Sequence, residues 1–344
     1  MRLTKDVIDT LYSPQIRVLD RPFQMNLELT TKCPLHCRQC YVRMDQVKEM
    51  PLETALFRIR DGATAGVKLV NLSGGETLMY PHLKDLIYEC KSLDLQTAIA
   101  ISGAFASRQR LEELIMAGVS DIYVSLNGST KEVDERTRDG YDLAISALNT
   151  LRDIGFKNRF INWVMHSVNS DDFPEMIRLG ESLGVKGIAV MAVKPDAHSR
   201  LDSFPTKAQM TATARIIREY KGKMILQPEP CFSQLRSMVR ETDEANLNTG
   251  VVRGCNAGRN GFSVAVDGML TPCRHLDIRE KYEHIQDYWK ESKFLNELRS
   301  IEDHREAPCR GCHYENNCLP CQAVGIKLHG ELKFGMKECP LSFE

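Results

Sequence analysis

Residues 25–41 read MNLELTTKCPLHCRQCY: an apolar run of strand length that stops at a threonine pair and passes into Cys33, Cys37 and Cys40. Apolar residues at Met25, Leu27 and Leu29 predict a buried strand over Met25 to Leu29. The three cysteines then lie in a loop directly after that strand, spaced CxxxCxxC. Three thiolates in one short loop can hold three corners of a cubane 4Fe-4S cluster, and no fourth cysteine lies nearby. Ligation by four cysteines is the norm, so one iron is left open to a substrate or cofactor, as catalytic zinc keeps an open position. The competing reading is a zinc site completed by His36, whose place next to Cys37 makes convergence on one ion difficult.

Outward from this loop the chain alternates. Val67 to Leu72, Leu95 to Ile101, Asp121 to Leu126, Arg159 to His166 and Val185 to Val193 read as further strands. Leu52 to Ala65, Pro81 to Leu93, Ser107 to Ala117, Tyr141 to Ile154, Asp171 to Leu183 and Thr206 to Tyr220 read as helices. Leu83, Leu86, Ile87 and Cys90 form a one-sided apolar stripe. Six βα units in sequence predict an α/β fold of parallel strands and right-handed crossovers, either a doubly wound sheet or a partial barrel. Reactive groups then belong at the C-terminal ends of the strands.

Composition narrows the classes. Lys and Arg number 45 against 46 Asp and Glu, for a net charge of −1 over 344 residues. That balance excludes the basic surface of a dedicated nucleic-acid binder. No run approaches the ~18 apolar residues of a membrane span. Charges at Lys5, Asp6 and Asp9 interrupt any secretory signal, so a cytoplasmic location with no membrane partner is expected. Thiols stay reduced there, and the 12 cysteines are metal ligands or core residues before they are disulfides.

From about residue 223 the alternation ends, and eight of the cysteines follow. The chain divides into an extension over 1–24, a βα unit over 25–222 and a small metal-dependent domain over 223–344, with PEP at 228–230 as a plausible link. One hairpin is legible, FSVAV and MLTPC about Asp267-Gly268, for which a type I′ turn is expected. Closer to the first loop, Leu72-Ser73-Gly74-Gly75-Glu76-Thr77 ends the second strand. Paired glycines let the backbone approach a ligand, and Glu76 offers a carboxylate to an amine.

The CxxxCxxC loop followed by Tyr41, with Gly74-Gly75-Glu76 one βα unit later, resembles the radical SAM superfamily. The resemblance implies a partial (β/α)6 TIM-like barrel. It also implies that S-adenosylmethionine (SAM) binds the open iron through its amino and carboxylate groups, with Gly74, Gly75 and Glu76 beside the amine. Reductive cleavage of SAM then gives a 5′-deoxyadenosyl radical that abstracts hydrogen from a substrate. Residues similar to the family's other SAM contacts are Ser102, Ser125, Asn127 and Arg138, for which ordinary strand-end polarity is the alternative.

The later cysteines run Cys255, Cys273, Cys309-x2-Cys312-x5-Cys318-x2-Cys321 and Cys339. This resembles the SPASM extension of radical SAM enzymes and implies two auxiliary 4Fe-4S clusters, making three in all. Cys309, Cys312, Cys318 and Cys339 would hold one. Cys255, Cys273 and Cys321 would hold the other, its fourth ligand open; a zinc ribbon competes for Cys309 to Cys321. The family usually separates the last pair by three residues, not two. Cys90 is left as a core residue. Cys231 is the missing ligand, a hydrogen-donating thiol or a structural thiol.

SPASM enzymes mostly modify ribosomally made peptides by crosslinking, epimerisation or side-chain oxidation; a minority act on small molecules such as tetrapyrroles. The expected substrate is such a peptide, with a small metabolite as the alternative and a non-catalytic iron-sulfur or zinc protein as the third reading. About 24 residues precede the first strand, few for a leader-binding domain, so a separate leader-peptide-binding protein is an expected partner. An external electron donor such as flavodoxin or ferredoxin is another. Sulfatase-maturing relatives carry an acidic base just after the cysteine matching Cys273, where this chain has Arg274 and His275, with Asp277 close by. Arg274 and His275 could orient a substrate carboxylate or, through His275, move a proton; a plain surface pair is the alternative.

Overall fold

The computed structural model describes residues 18–42, 46–194, 203–240, 254–315, 318–329, 339 and 341. Most of the expected extension, residues 1–17, lies outside them. In chain order the strands are β1 (Gln24–Thr30), β2 (Leu69–Gly74), β3 (Gln96–Ile101), β4 (Asp121–Ser125), β5 (Arg159–Met165), β6 (Gly187–Ala192), β7 (Ile225–Pro228), β8 (Gly261–Val264) and β9 (Leu270–Thr271). The helices are α1 (Leu52–Ala65), α2 (Leu83–Ser92), α3 (Arg108–Ala117), α4 (Lys131–Asp134), α5 (Tyr141–Ile154), α6 (Phe173–Ser182), α7 (Lys207–Glu219), α8 (Ser233–Arg240), α9 (Ile285–Glu291), α10 (Lys293–Ser300) and α11 (Gln322–His329).

One sheet runs in the order β7-β6-β5-β4-β3-β2-β1-β8-β9. From β1 to β7 every strand pairs in parallel with the next. A doubly wound sheet reverses its order at a switch point, and this one does not, so the partial-barrel expectation holds. Right-handed crossovers in an unreversed order place the helices on one face. Met25, Leu27 and Leu29 pack beneath them without exposure, in one core with the apolar stripe of α2. The opposite face is polar: Asn71 donates to Asn26 at 3.1 Å, and Asn26 donates to Ser263 Oγ at 3.2 Å.

The sheet does not end at residue 222, where the sequence suggests a boundary. β7 extends it at one edge, and the cysteine-rich part returns β8 to the other, parallel to β1 with Gln24 opposite Gly261. Arg58 of α1 locks this return by donating to the carbonyls of Gly268, Tyr282 and Glu283. The hairpin turn also differs from expectation. Only Gly268 takes positive φ, +81°, while Gly268 N–H bonds Ala265 O and Ala265 N–H bonds Met269 O. That is the longer loop with a left-handed glycine bulge, in which Asp267 is spared the strain of a type I′ position.

Candidate active site

The three-cysteine loop hangs from the C-terminal end of β1, and its thiols are half-buried. Burial pushes the Cys33 thiol up, and Glu76, Cys37 and Arg138 lie within its electrostatic range. The spacer residue Gln39 anchors the loop to the barrel. Its Oε1 accepts from Asn127 Nδ2 at 2.7 Å and meets His166 Nε2 in a short contact. Burial lowers the His166 pKa to about 4, so a neutral imidazole donates there. The sequence reading missed both Gln39 and His166; a polar amide between two cluster cysteines was the available signal.

Gly74 and Gly75 are required for a reason other than an open cradle. A Cβ on Gly74 would stand 2.3 Å from Thr30 O, and one on Gly75 would stand 2.2 Å from Lys32 O. Gly75 N–H and Glu76 N–H bond those same carbonyls at 2.6 and 2.7 Å. The glycines thus continue the β1–β2 pairing past the strand ends and fix the first residues of the cysteine loop. Glu76 is fully buried: Oε1 accepts from Leu78 N–H, and Oε2 accepts from the N–H and hydroxyl of Ser102. Its pKa is raised by burial, against those bonds and Arg138.

Asn127 is equally enclosed. Its N–H donates to Asp134, Nδ2 reaches Gln39 and Thr137, and Oδ1 accepts from Val164 N–H. Arg138 is buried within electrostatic range of Cys33, Glu76 and Asp134. Ser125 ends β4 opposite Asn162 on the helix-free face. Ser102, Asn127 and Arg138 therefore first build the walls that hold the cysteine loop.

The later cysteines gather into two sets. Cys309, Cys312, Cys318 and Cys339 line one small cleft, and burial pushes Cys318 up to about 12. The other set has a member that spacing left undecided: Cys231, just after β7, is within hydrogen-bond reach of both Cys255 and Cys321. Cys273 lies in electrostatic range of Cys321, and burial pushes it up to about 11. The sets adjoin where Ser233 Oγ meets Cys318 Sγ at 3.1 Å. Among the described residues no three Cys, His, Asp or Glu side chains converge on a single ion. A cubane does not ask for that, because each thiolate meets its own iron. Cys90 is buried on α2 and hydrogen bonds Thr97, as a core residue.

A cavity of about 550 Å3 lies between the first loop and the second set. Tyr41, Gly74 and Glu28 line one side, and Arg274, His275 and Lys327 are also in the wall. Arg274 donates to Tyr41 Oη at 3.4 Å, and Tyr41 hydrogen bonds Glu28. Asp277 also lines the cavity, but it pairs with Arg279 at 3.6 Å. Burial and the nearby charges of Lys194, Arg274 and Lys327 keep His275 neutral.

Comparison with known proteins bears on this arrangement directly. Residues 27–180 match the model of the radical SAM superfamily. That stretch is a radical SAM domain. A PqqA peptide cyclase of Ruegeria pomeroyi is 28% identical over 328 residues, 89% of this chain and 84% of that protein. One of Rhizobium meliloti is 27% identical, covering 92% and 88%. Among solved structures, Streptococcus suis SuiB bound to S-adenosylmethionine aligns with a TM-score of 0.75 at 17% identity, over 94% of this chain and 78% of that one. Native anSMEcpe with bound AdoMet aligns with a TM-score of 0.71 at 14% identity, over 94% of this chain and 96% of that one. These two establish likeness of fold.

A radical SAM domain implies SAM and a 4Fe-4S cluster, and the donor set fits them. Three thiols share one loop with no fourth beside them, and a polar sheet face opens past it. The two later sets offer four thiols each, the full complement of a closed cluster. No helix among the described residues is long and apolar enough to cross a membrane.

Proposed function

We propose that this radical SAM enzyme modifies a peptide, with residues 223–344 acting as a SPASM-type extension that holds two auxiliary 4Fe-4S clusters. Cys33, Cys37 and Cys40 hold the SAM-binding cluster. Cys231, Cys255, Cys273 and Cys321 hold one auxiliary cluster, and Cys309, Cys312, Cys318 and Cys339 hold the other. The observation that carries this reading is the cavity walled by Tyr41, next to Cys40, and by Arg274 and His275, next to Cys273. The curated relatives named as PqqA peptide cyclases, and SuiB solved with its precursor peptide SuiA, favour a peptide over a small metabolite.

When bound and reduced, the SAM cluster supplies a carbon radical able to take a hydrogen atom from substrate. The chain's own residues do the rest. Gly74, Gly75 and Glu76 hold the loop and border the cofactor; Ser102 and Arg138 fix Glu76, and Asn127 fixes Gln39. Ser125 contributes a hydroxyl on the helix-free face. Tyr41 and Arg274 close the cavity wall and help exclude water from a reactive radical. Burial leaves the neutral His275 as a positioning group. Cys231 acts as a ligand and not as a hydrogen donor.

An external one-electron donor such as flavodoxin or ferredoxin serves the cytoplasmic enzyme, and a separate protein presents the leader of its peptide. Anaerobic reconstitution should give about twelve iron and twelve sulfide per chain, three cubanes of four. Dithionite with SAM should release 5′-deoxyadenosine, and a short peptide encoded beside the gene should change mass. Absence of SAM cleavage in iron-replete protein would falsify the enzyme reading. Cleavage with no change in any neighbouring peptide would move the substrate to a small molecule.

A further inference from the structure

Two carboxylates among the described residues line the cavity between the first loop and the Cys273 segment, Glu28 and Asp277. Asp277 is exposed and pairs with Arg279 at 3.6 Å. Glu28 belongs to β1 itself. Leu27 and Leu29 on either side of it are buried under the helices, so Glu28 shares the helix-free face with Asn26. A group carried by a strand is placed more precisely than one on a loop.

Tyr41 Oη accepts from Arg274 at 3.4 Å, which leaves the phenol's own proton for Glu28. The carboxylate is otherwise half-buried and open to the cavity. Opposite Glu28 in the β1–β2 register, and on the same face, stands Ser73. Ser73 is 4% exposed, and its Oγ has no hydrogen-bond partner among the described residues. A buried hydroxyl left without a partner costs free energy. Beside an accessible carboxylate it marks a polar subsite with hydrogen-bonding capacity left for a ligand. Burial pushes the Glu28 pKa up, against Arg274 and Tyr41, which strengthens the carboxylate as a base.

A substrate that has given a hydrogen atom to the deoxyadenosyl radical is left as a carbon radical. Crosslinking and side-chain oxidation finish by breaking a neighbouring C–H, N–H, O–H or S–H bond as the new bond forms. Of the two electrons in the broken bond, one pairs with the radical electron in the new bond. The other leaves to an oxidised iron-sulfur centre, which is reduced. The proton needs a base within hydrogen-bond reach.

We infer that Glu28 is the catalytic base of a net oxidation: its carboxylate takes the proton released as the substrate radical closes its new bond, and later returns it to solvent. The inference rests on the peptide-modifying reading above. It gives β1 two tasks, since the strand that ends in the cysteine loop also carries the group that completes the reaction.

The test uses the reconstituted full chain with SAM, dithionite and the peptide encoded beside the gene. Glu28→Gln should still form 5′-deoxyadenosine and should raise a carbon-radical EPR signal, while modified peptide per deoxyadenosine falls about a hundredfold. Fluorescence anisotropy of the labelled peptide, without turnover, should give the variant and the wild type the same Kd. Glu28→Ala should be uncoupled likewise, and added formate, a diffusible carboxylate, should restore product where chloride does not. An unchanged product ratio in Glu28→Gln overturns the inference. So does a Kd weakened by the same factor as the product ratio, which makes Glu28 a binding residue alone. Uncoupling by Asp277→Asn in place of Glu28→Gln assigns the proton to the other carboxylate and overturns it too. If Glu28→Gln loses its iron, formate rescue of Glu28→Ala decides; loss of iron from both makes the residue structural and overturns the inference. A wild-type product with no net loss of hydrogen, as in epimerisation, overturns the inference and leaves the peptide reading standing. A wild type that changes no neighbouring peptide overturns the peptide reading and the inference with it.

Discussion

The ring of Tyr41 meets the imidazole of His275 edge-on, with centroids 4.5 Å apart, although 233 residues separate Tyr41 from the neighbouring Arg274 to which it also bonds. The contact joins the first cysteine loop to the Cys273 segment. Tyr41→Phe keeps the ring and loses the hydroxyl's links to Glu28 and Arg274, a cost of about 1 kcal/mol. Tyr41→Ala loses in addition an aromatic contact of about 0.5–1.5 kcal/mol. Denaturant unfolding should rank them in that order; equal losses would show that the ring contact contributes nothing.

Gly75→Ala should be among the most damaging single-methyl changes. The new carbon would sit 2.2 Å from Lys32 O, backbone that carries the cysteine loop. Overpacking of this kind costs about 1–3 kcal/mol. Thermal unfolding should show the loss, and iron uptake at the first site should fall with it. A fully stable, iron-replete variant would mean that the β1–β2 extension yields easily.

Two lone cysteines should behave differently on removal. Cys231→Ala should lower iron by about four per chain through loss of one cubane. Cys90→Ala should keep its iron and unfold at lower denaturant, since Cys90 only packs α2 and bonds Thr97. Equal iron in both variants would remove Cys231 from the ligand set.

Stability between pH 4 and 6.5 should reflect two opposed buried groups. Burial lowers the His166 pKa from 6.5 to about 4, so its contribution is complete above 6.5 and is lost as pH falls through 4. Burial raises Asp134 from 3.8 to about 6, so its contribution is complete below 3.8 and is lost as pH rises through 6. At about 1.4 kcal/mol per unit each is worth on the order of 3 kcal/mol, and in the wild type they offset one another. Relative to wild type, His166→Gln should gain stability on acidification from pH 6.5 to 4.5, and Asp134→Asn should lose it. Urea midpoints at the two pH values measure the difference; parallel profiles would contradict it.

The local pattern carried most of the barrel. α1 and α5 begin and end where their apolar spacing says, at Leu52–Ala65 and Tyr141–Ile154. β7 was missed because four residues ending in proline carry too little periodicity. The pairing of Gln24 with Gly261 was missed because nothing near either residue reports a partner so distant in sequence. At the site, the cysteine loops were legible by spacing alone. Which atoms Glu76 and Asn127 touch was not, since a strand-end polar residue reads the same whether it faces a ligand or another turn. Cys231 became a member of a set only when the fold brought it to Cys255 and Cys321.

The parallel union of β1 with β8 has a consequence for anyone dividing this chain. A fragment ending before β8 would leave the strand that carries the cysteine loop with a bare row of amide and carbonyl groups. Such an edge recruits other chains into intermolecular sheets. The barrel and its cysteine-rich partner are therefore not interchangeable cassettes. Grafting the cysteine-rich part from a relative means re-matching one strand's register, along with the carbonyl trio that Arg58 grips.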